Sequence, residues 1–401
     1  MTLIASLSLV LVLAHLLGWI AERLEQPALL GHMLAGIVLG PSLLAWLGPS
    51  AGLTAVTDLS VLFVVITAGL KMRFEHLLET FRGTGTFALM LGFIIPAFMA
   101  GVFAFAIGLQ LIPGLVVVLC ISVTALPVAL RILSDFGIST TRVARVAIAS
   151  ALLSDTVVLM VLGVLIATSL STRANGLLIA ASLAFSKLVL LLVVFAACQV
   201  VFVRLSTRGA SWRTRANPAS VDTVTVLTLV FMLGLGAVAE LLGLHSAIGA
   251  FLAALLITSA LINDARFENL TRSFDLMTVA VFGPLFLGFQ GIQFKLSTLT
   301  NYLLVVGLIL VAVVSKWIGG YAAARMKHLP TNEAFGVAII MNARGVMEMV
   351  VVSIAYREGL VDQELFSALL VVGIVTTVLT PSMLKRWLAR PINARLREAG
   401  E

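Results

Sequence analysis

The amino-acid sequence predicts an all-α polytopic membrane protein with thirteen transmembrane helices, and three observations carry that prediction. Of 401 residues 60% are hydrophobic and only 11% charged, and the mean hydropathy is +1.13; soluble domains do not have this composition. The apolar residues fall into runs long enough to cross a bilayer, which takes roughly 20 residues of helix. The basic residues alternate between connections as a membrane topology requires.

In order, the spans cover residues 2–23, 28–47, 52–71, 84–108, 112–134, 142–170, 176–204, 220–242, 244–262, 273–293, 298–325, 332–356 and 363–385. No Lys or Arg precedes the first, so it lacks the basic n-region of a cleaved signal peptide and is expected to stay as a mature helix. Connections after odd-numbered spans, with the C-terminal stretch, hold 20 of the 26 Lys and Arg residues, whereas those after even-numbered spans hold three: Arg173, Lys295 and Arg357. This bias places the N-terminus outside and the C-terminus in the cytoplasm. The formal charge of +7 therefore reports topology and not a nucleic-acid surface, because the basic residues are scattered through short loops. Lys187, Lys316 and Arg344 remain inside spans.

Both cysteines, Cys120 and Cys198, lie in apolar runs, so neither a disulfide nor a cysteine metal site is expected. No Gly-rich turn leads to Lys-Ser or Lys-Thr, so no nucleotide-binding loop or cofactor is expected. Ion gradients remain as the energy source, in a transporter and not an enzyme.

The spans divide into two six-helix halves, 1–6 and 8–13, joined by the seventh. The halves start on opposite sides of the membrane, which is the inverted-repeat arrangement of secondary transporters. It pairs the fifth span with the twelfth, and both interrupt their apolar runs: Ser122-Val-Thr-Ala-Leu-Pro-Val128 and Met341-Asn-Ala-Arg-Gly-Val-Met-Glu348. Pro127 removes a backbone hydrogen bond and is expected to break its helix and free carbonyls. Gly345 could do the same in the twelfth span, or mark only close packing.

Asp155 is the most informative residue. It stands 13 residues into the sixth span, near mid-membrane at about 1.5 Å of rise per residue, where an ionised carboxylate costs several kcal/mol unless compensated. Such a carboxylate can hold a proton or a small cation but not both comfortably, the minimal chemistry of an exchanger. Thr124, Ser154, Lys316, Arg344 and Glu348 fall at similar depth. Thr124 and Ser154 could lend oxygens to a partly dehydrated alkali cation, or bond only to their own helix backbone. Arg344 and Glu348, at i,i+4, could neutralise each other or gate a cation path. Lys316 could balance Asp155 or Glu348.

Four segments then carry a resemblance over nearly the whole chain: Gln26-Pro-Ala-Leu-Leu-Gly31 with Ala35-Gly-Ile-Val-Leu-Gly-Pro-Ser42, Ser122-Val-Thr-Ala-Leu-Pro127, Gly243-Leu-His-Ser-Ala-Ile-Gly-Ala-Phe-Leu-Ala253 and Asn342-Ala-Arg-Gly-Val-Met-Glu348. In these the chain resembles the second cation:proton antiporter family, which includes bacterial sodium/proton antiporters, Kef-type potassium efflux systems and plant cation/proton exchangers. The resemblance implies crossed, discontinuous fifth and twelfth helices and a core ion-translocation domain over 84–170 and 298–385. It further implies a dimerisation domain over 1–71 and 220–293, a linker helix at 176–204, and elevator-type alternating access in a homodimer of the bacterial inner membrane. It carries cation binding onto Asp155. Family members usually place Asp-Asp or Asn-Asp in the sixth helix, whereas this chain has Ser154-Asp155. Lys316 occupies the place of a lysine that pairs with the missing first aspartate. One carboxylate exchanging one proton for one Na+ or K+ implies electroneutral 1:1 antiport. A cation channel and a sodium-coupled solute symporter are the alternatives. The first lacks a ring of pore charges and the second lacks a large polar lining.

Lesser candidates complete the reading. Lys187 can snorkel or pair. Asp58, Glu240 and Asp222 are expected near the membrane surfaces, and Gly31, Gly36 and Gly40 at close helix contacts. His32 and His76 are candidate cytoplasmic pH sensors, with solvated loop residues as the plainer description. No Kef-type nucleotide-sensing domain is expected after the basic stretch 386–401, whose Arg390, Arg395 and Arg397 could rest on anionic lipid.

Overall fold

The computed structural model describes residues 2–71, 86–138, 141–175, 221–257 and 264–389 with parts of 182–200, and among them every regular element is helical. In chain order these are α1 (Leu3–Arg23), α2 (Ala28–Leu39), α3 (Ala51–Lys71), α4 (Thr86–Ala106), α5 (Leu111–Ser122), α6 (Leu126–Asp135), α7 (Arg142–Asn175), α8 (Val221–Leu241), α9 (Ser246–Leu256), α10 (Asp264–Met277), α11 (Gly283–Gln293), α12 (Tyr302–Met326), α13 (Thr331–Ile340), α14 (Val346–Arg357) and α15 (Gln363–Leu388). A π-turn at Thr278–Phe282 joins α10 to α11. Polar caps mark several starts: Asn301 Oδ1 accepts from Leu304 N–H at 3.0 Å ahead of α12, and Asp362 Oδ1 from Leu365 N–H at 2.8 Å ahead of α15. These caps satisfy donors that a first helical turn leaves open.

Among the described residues seven helices are long and apolar enough to cross a membrane: Leu3–Arg23, Ala51–Lys71, Leu89–Ala106, Arg142–Thr168, Phe267–Gln293, Tyr302–Met326 and Gln363–Leu388. The protein is thus a polytopic membrane protein, helical throughout its described regular elements. The second expected span is a helix only as far as Leu39, because Gly40 turns extended ahead of Pro41 and a residue before proline is disfavoured in the helical region. The tenth begins earlier than expected, in the polar α10. Most of the seventh lies outside the described residues, as do His76 and the tail from 390.

The fifth and twelfth spans are each two helices. The fifth is α5 and α6 with Val123–Ala125 extended between them, and the twelfth is α13 and α14 with the break at Met341–Gly345. This corrects the expectation for Pro127. It does not occupy the break but stands in the first turn of α6, where a missing N–H costs nothing and the fixed φ suits a helix start. Gly345 is the residue immediately before α14, and a Cβ there would come within 2.6 Å of Val128 Cγ2.

By packing, the described residues form two compact units, one within 1–57, 79–159 and 283–401 and the other within 58–78 and 160–282. In the first, α2 seats against α1 and α11 through glycines. A Cβ on Gly36 would strike the carbonyl of Gly288, one on Gly31 the backbone of Leu17 and Gly18, and one on Gly40 would approach Ile292 Cα to 2.9 Å. Such contacts let backbones approach where no side chain fits. His32 belongs to this packing, buried and edge-to-face with His15 at 5.9 Å, so it is not the solvated residue expected at a cytoplasmic loop. In the second unit, Thr67 and Thr278 share a 2.7 Å hydrogen bond beside the π-turn. There Lys187 is half-buried, its Nζ 3.1 Å from where a Cβ on Gly243 would stand, and Glu240 is exposed.

Candidate functional site

The site lies within the first unit, at the two helix breaks. A helix leaves its last four carbonyls and first four amides without internal partners, and in an apolar interior each must be satisfied by something else. For α5 the four carbonyls are accounted for. Val123 N–H donates to Leu119 O at 3.1 Å. Arg344 donates through one terminal nitrogen to Cys120 O at 2.5 Å and through the other to Ile121 O at 2.8 Å. Lys316 Nζ donates to Ser122 O. The helix C-terminus carries a partial negative charge, which two cationic groups complement.

The start of α6 presents the opposite polarity. Ala125 N–H donates to Ala343 O at 3.1 Å, and Leu126 N–H donates to Asp155 Oδ2 at 3.4 Å. An aspartate from α7 therefore stands at the positive end of α6 while two cations stand at the negative end of α5. Asp155 is fully buried, and its Oδ1 has no hydrogen-bond partner.

The second break closes on itself and on the first. Met341, Asn342 and Ala343 donate their amides to Val337, Ile339 and Ile340 carbonyls at 2.9, 3.1 and 2.9 Å, which satisfies three of the last four carbonyls of α13. Met341 O accepts from Thr124 Oγ1 at 3.2 Å, and Arg344 O accepts from Thr377 Oγ1 on α15 at 3.1 Å. Glu348, in the first turn of α14, takes Arg344 at 3.0 Å through Oε1 and leaves Oε2 unpartnered.

Each expected site residue has a defined place here. Thr124, Ser154, Asp155, Lys316, Arg344 and Glu348 are all buried and converge on the two breaks. Thr124 accepts from Lys316 Nζ at 2.6 Å, while Ser154 donates to Ala151 O at 2.9 Å and accepts from Thr124 N–H at 3.3 Å. Arg344 and Glu348 do form the i,i+4 pair. Lys316 forms no ion pair with a described carboxylate. It is fastened to the break instead, through Ser122 O and Thr124 Oγ1. The carbonyls of Cys120, Ile121 and Ser122 at the end of α5 are taken by Arg344 and Lys316.

Two residues escaped the sequence reading. Pro96 lies inside α4 and has no N–H to give Gly92 O one turn back, and Lys316 Nζ lies 3.4 Å from that oxygen. A proline within an apolar run was the available signal. Asn342 is buried, and neither polar atom of its side chain has a partner.

The fold and the site define a class: an integral membrane protein with an ionisable residue buried where two interrupted helices meet, the construction of ion-coupled transporters. The family model "Sodium/hydrogen exchanger, transmembrane" matches residues 10–390, and the chain belongs to that family. It is 26% identical over 390 residues to a Na+/H+ antiporter of Enterococcus hirae, covering 96% of this chain and 98% of the relative. It is also 26% identical to the Na+/H+-K+ antiporter GerN of Bacillus cereus, over 94% of each chain. Cation/H+ antiporter 15 of Arabidopsis thaliana is 25% identical over 94% of this chain and 47% of its own length. In fold the chain is similar to the sodium proton antiporter MjNhaP1 of Methanocaldococcus jannaschii, with a TM-score of 0.68, 19% identity and 99% coverage of both chains.

Proposed function

We propose that this protein exchanges a monovalent cation, Na+ or K+, for a proton, the two competing for Asp155. One observation carries the reading: Asp155 is a fully buried carboxylate that keeps one oxygen unpartnered at the meeting of two broken helices. An ionised carboxylate in that setting needs a proton or a cation. Thr124 and Ser154 flank it, and each hydroxyl retains a second lone pair beyond the hydrogen bond it accepts. Family membership and the names of the relatives support the same reading.

Asp155 and Glu348 are balanced by Lys316 and Arg344, so the cluster carries the same charge with a proton on Asp155 as with a monovalent cation. That favours electroneutral 1:1 exchange. Pro127 and Gly345 serve the breaks, the first by starting α6 and the second by making room for Val128. The wider proposal is a homodimer in the bacterial inner membrane, N-terminus outside, working by elevator-type alternating access. Its thirteen spans form two inverted repeats divided into core and dimerisation domains, as the resemblance implies.

The test is proton movement in vesicles holding an internal pH gradient, with Na+, K+ or Li+ added outside. Collapse of the gradient with one cation in the wild type, and none in Asp155→Asn, is the expected result. Cation flux without proton movement would overturn the reading.

A further inference from the structure

We propose that Asn342 is a ligand of the transported cation, supplying Oδ1 as a neutral oxygen beside the Asp155 carboxylate. The inference rests on the exchange reading above and names a second member of its binding site.

Buried polar side chains are almost always hydrogen-bonded, because an unpartnered amide in an apolar interior costs about 1–3 kcal/mol. Asn342 is 1% exposed, and both its Oδ1 and its Nδ2 lack partners. A residue serving only to hold the break would be expected to spend that capacity on the backbone around it. Its neighbours do so: Met341 O takes the Thr124 hydroxyl and Ala343 O takes the Ala125 amide. Asn342 stands between those two attachments with its side chain uncommitted.

The same short stretch also fixes Asp155, whose Oδ2 accepts from Leu126 N–H, the residue after Ala125. Thr124, Ala125 and Leu126 are consecutive and about 3.8 Å apart from Cα to Cα. The residues on either side of Asn342 and the Asp155 carboxylate are therefore attached to three consecutive residues, Thr124 to Leu126. Asp155 Oδ1 is the unpartnered atom on one side and the Asn342 amide on the other. Two uncommitted oxygens, one anionic and one neutral, suit an alkali cation, which favours hard oxygen ligands and loses part of its water on entering such a site. The amide can also accept from a protonated Asp155, so one residue fits both loaded forms. The carbonyls of Cys120, Ile121 and Ser122 are already engaged by Arg344 and Lys316.

The experiment compares wild type, Asn342→Ala and Asn342→Asp in the vesicle assay, reading the cation concentration for half-maximal exchange at fixed pH. The cation-induced rise in thermal midpoint of the purified protein is read alongside. Asn342→Ala should raise the half-saturating concentration at least tenfold and diminish the thermal shift, which follows the dissociation constant. Asn342→Asp keeps an oxygen at the same reach and should restore tight binding, which a residue needed only as an N–H donor would not allow. Wild-type half-saturation in Asn342→Ala, or weakened binding in both variants alike, overturns the inference and leaves the exchange reading standing. A wild type that moves no protons on cation addition overturns the exchange reading and this inference with it.

Discussion

Lys316 is hydrogen-bonded to Thr124 and not ion-paired with Asp155. Its Nζ lies 2.6 Å from Thr124 Oγ1 and also donates to Ser122 O, so the ammonium is spent on the end of α5. Those oxygens are neutral, so the contact supplies charge-assisted hydrogen bonds and no ion pair.

Lys316→Gln is expected to destabilise the protein by about 1.5–3 kcal/mol, the worth of hydrogen bonds made by a charged group, without changing stoichiometry. Thermal unfolding reads the first. The second is read as exchange rates under imposed membrane potentials, which should be flat in wild type and variant. A steep dependence in the wild type would refute electroneutral exchange.

Asp155→Asn should abolish cation-driven proton movement with the fold intact. The buried charge goes while an oxygen remains to accept from Leu126 N–H, so the thermal midpoint should hold or rise. Lost activity accompanied by a collapsed midpoint would point to a structural role instead.

Arg344→Leu strands Glu348 and opens the carbonyls of Cys120 and Ile121, and should cost about 3–5 kcal/mol, as breaking a fully buried pair from one side does. Arg344→Leu with Glu348→Gln should recover part of that loss. Arg344→Lys should not substitute, because a single ammonium lacks the planar fork that serves two carbonyls and a carboxylate. Unfolding midpoints of the three variants decide it.

Gly36→Ala should cost about 1–3 kcal/mol by overpacking against the Gly288 carbonyl, while Gly48→Ala, with nothing within 4 Å of the new methyl, should stay within about 0.5 kcal/mol. Equal midpoints for the two would show that α2 and α11 can separate freely.

Asp155, Lys316, Arg344 and Glu348 were legible in the sequence because charge inside a 20-residue apolar run is expensive and therefore conspicuous. Interrupted helices were legible from Pro127 and Gly345 for a similar reason, though the break itself falls at Val123–Ala125, one turn before the proline can begin a helix. The burial of His32 is not legible in the sequence, because its position at a helix start suggests solvent while burial depends on Gly18 of α1 standing opposite it. Asn342 carries no charge and scarcely disturbs hydropathy, so nothing in the chain announces that its amide is uncommitted.

Composition by itself determined a polytopic helical membrane protein and singled out the ionisable residues inside its apolar runs, since both follow from the cost of placing polar groups in hydrocarbon. Only the tertiary structure decided the partners. Which carbonyl Arg344 and Lys316 would neutralise, and which oxygens of Asp155 and Asn342 would be left open, depends on two helix ends brought together from distant parts of the chain. Hydrogen bonds at such ends are set by distances of a few tenths of an ångström, and periodicity along a sequence carries no record of them.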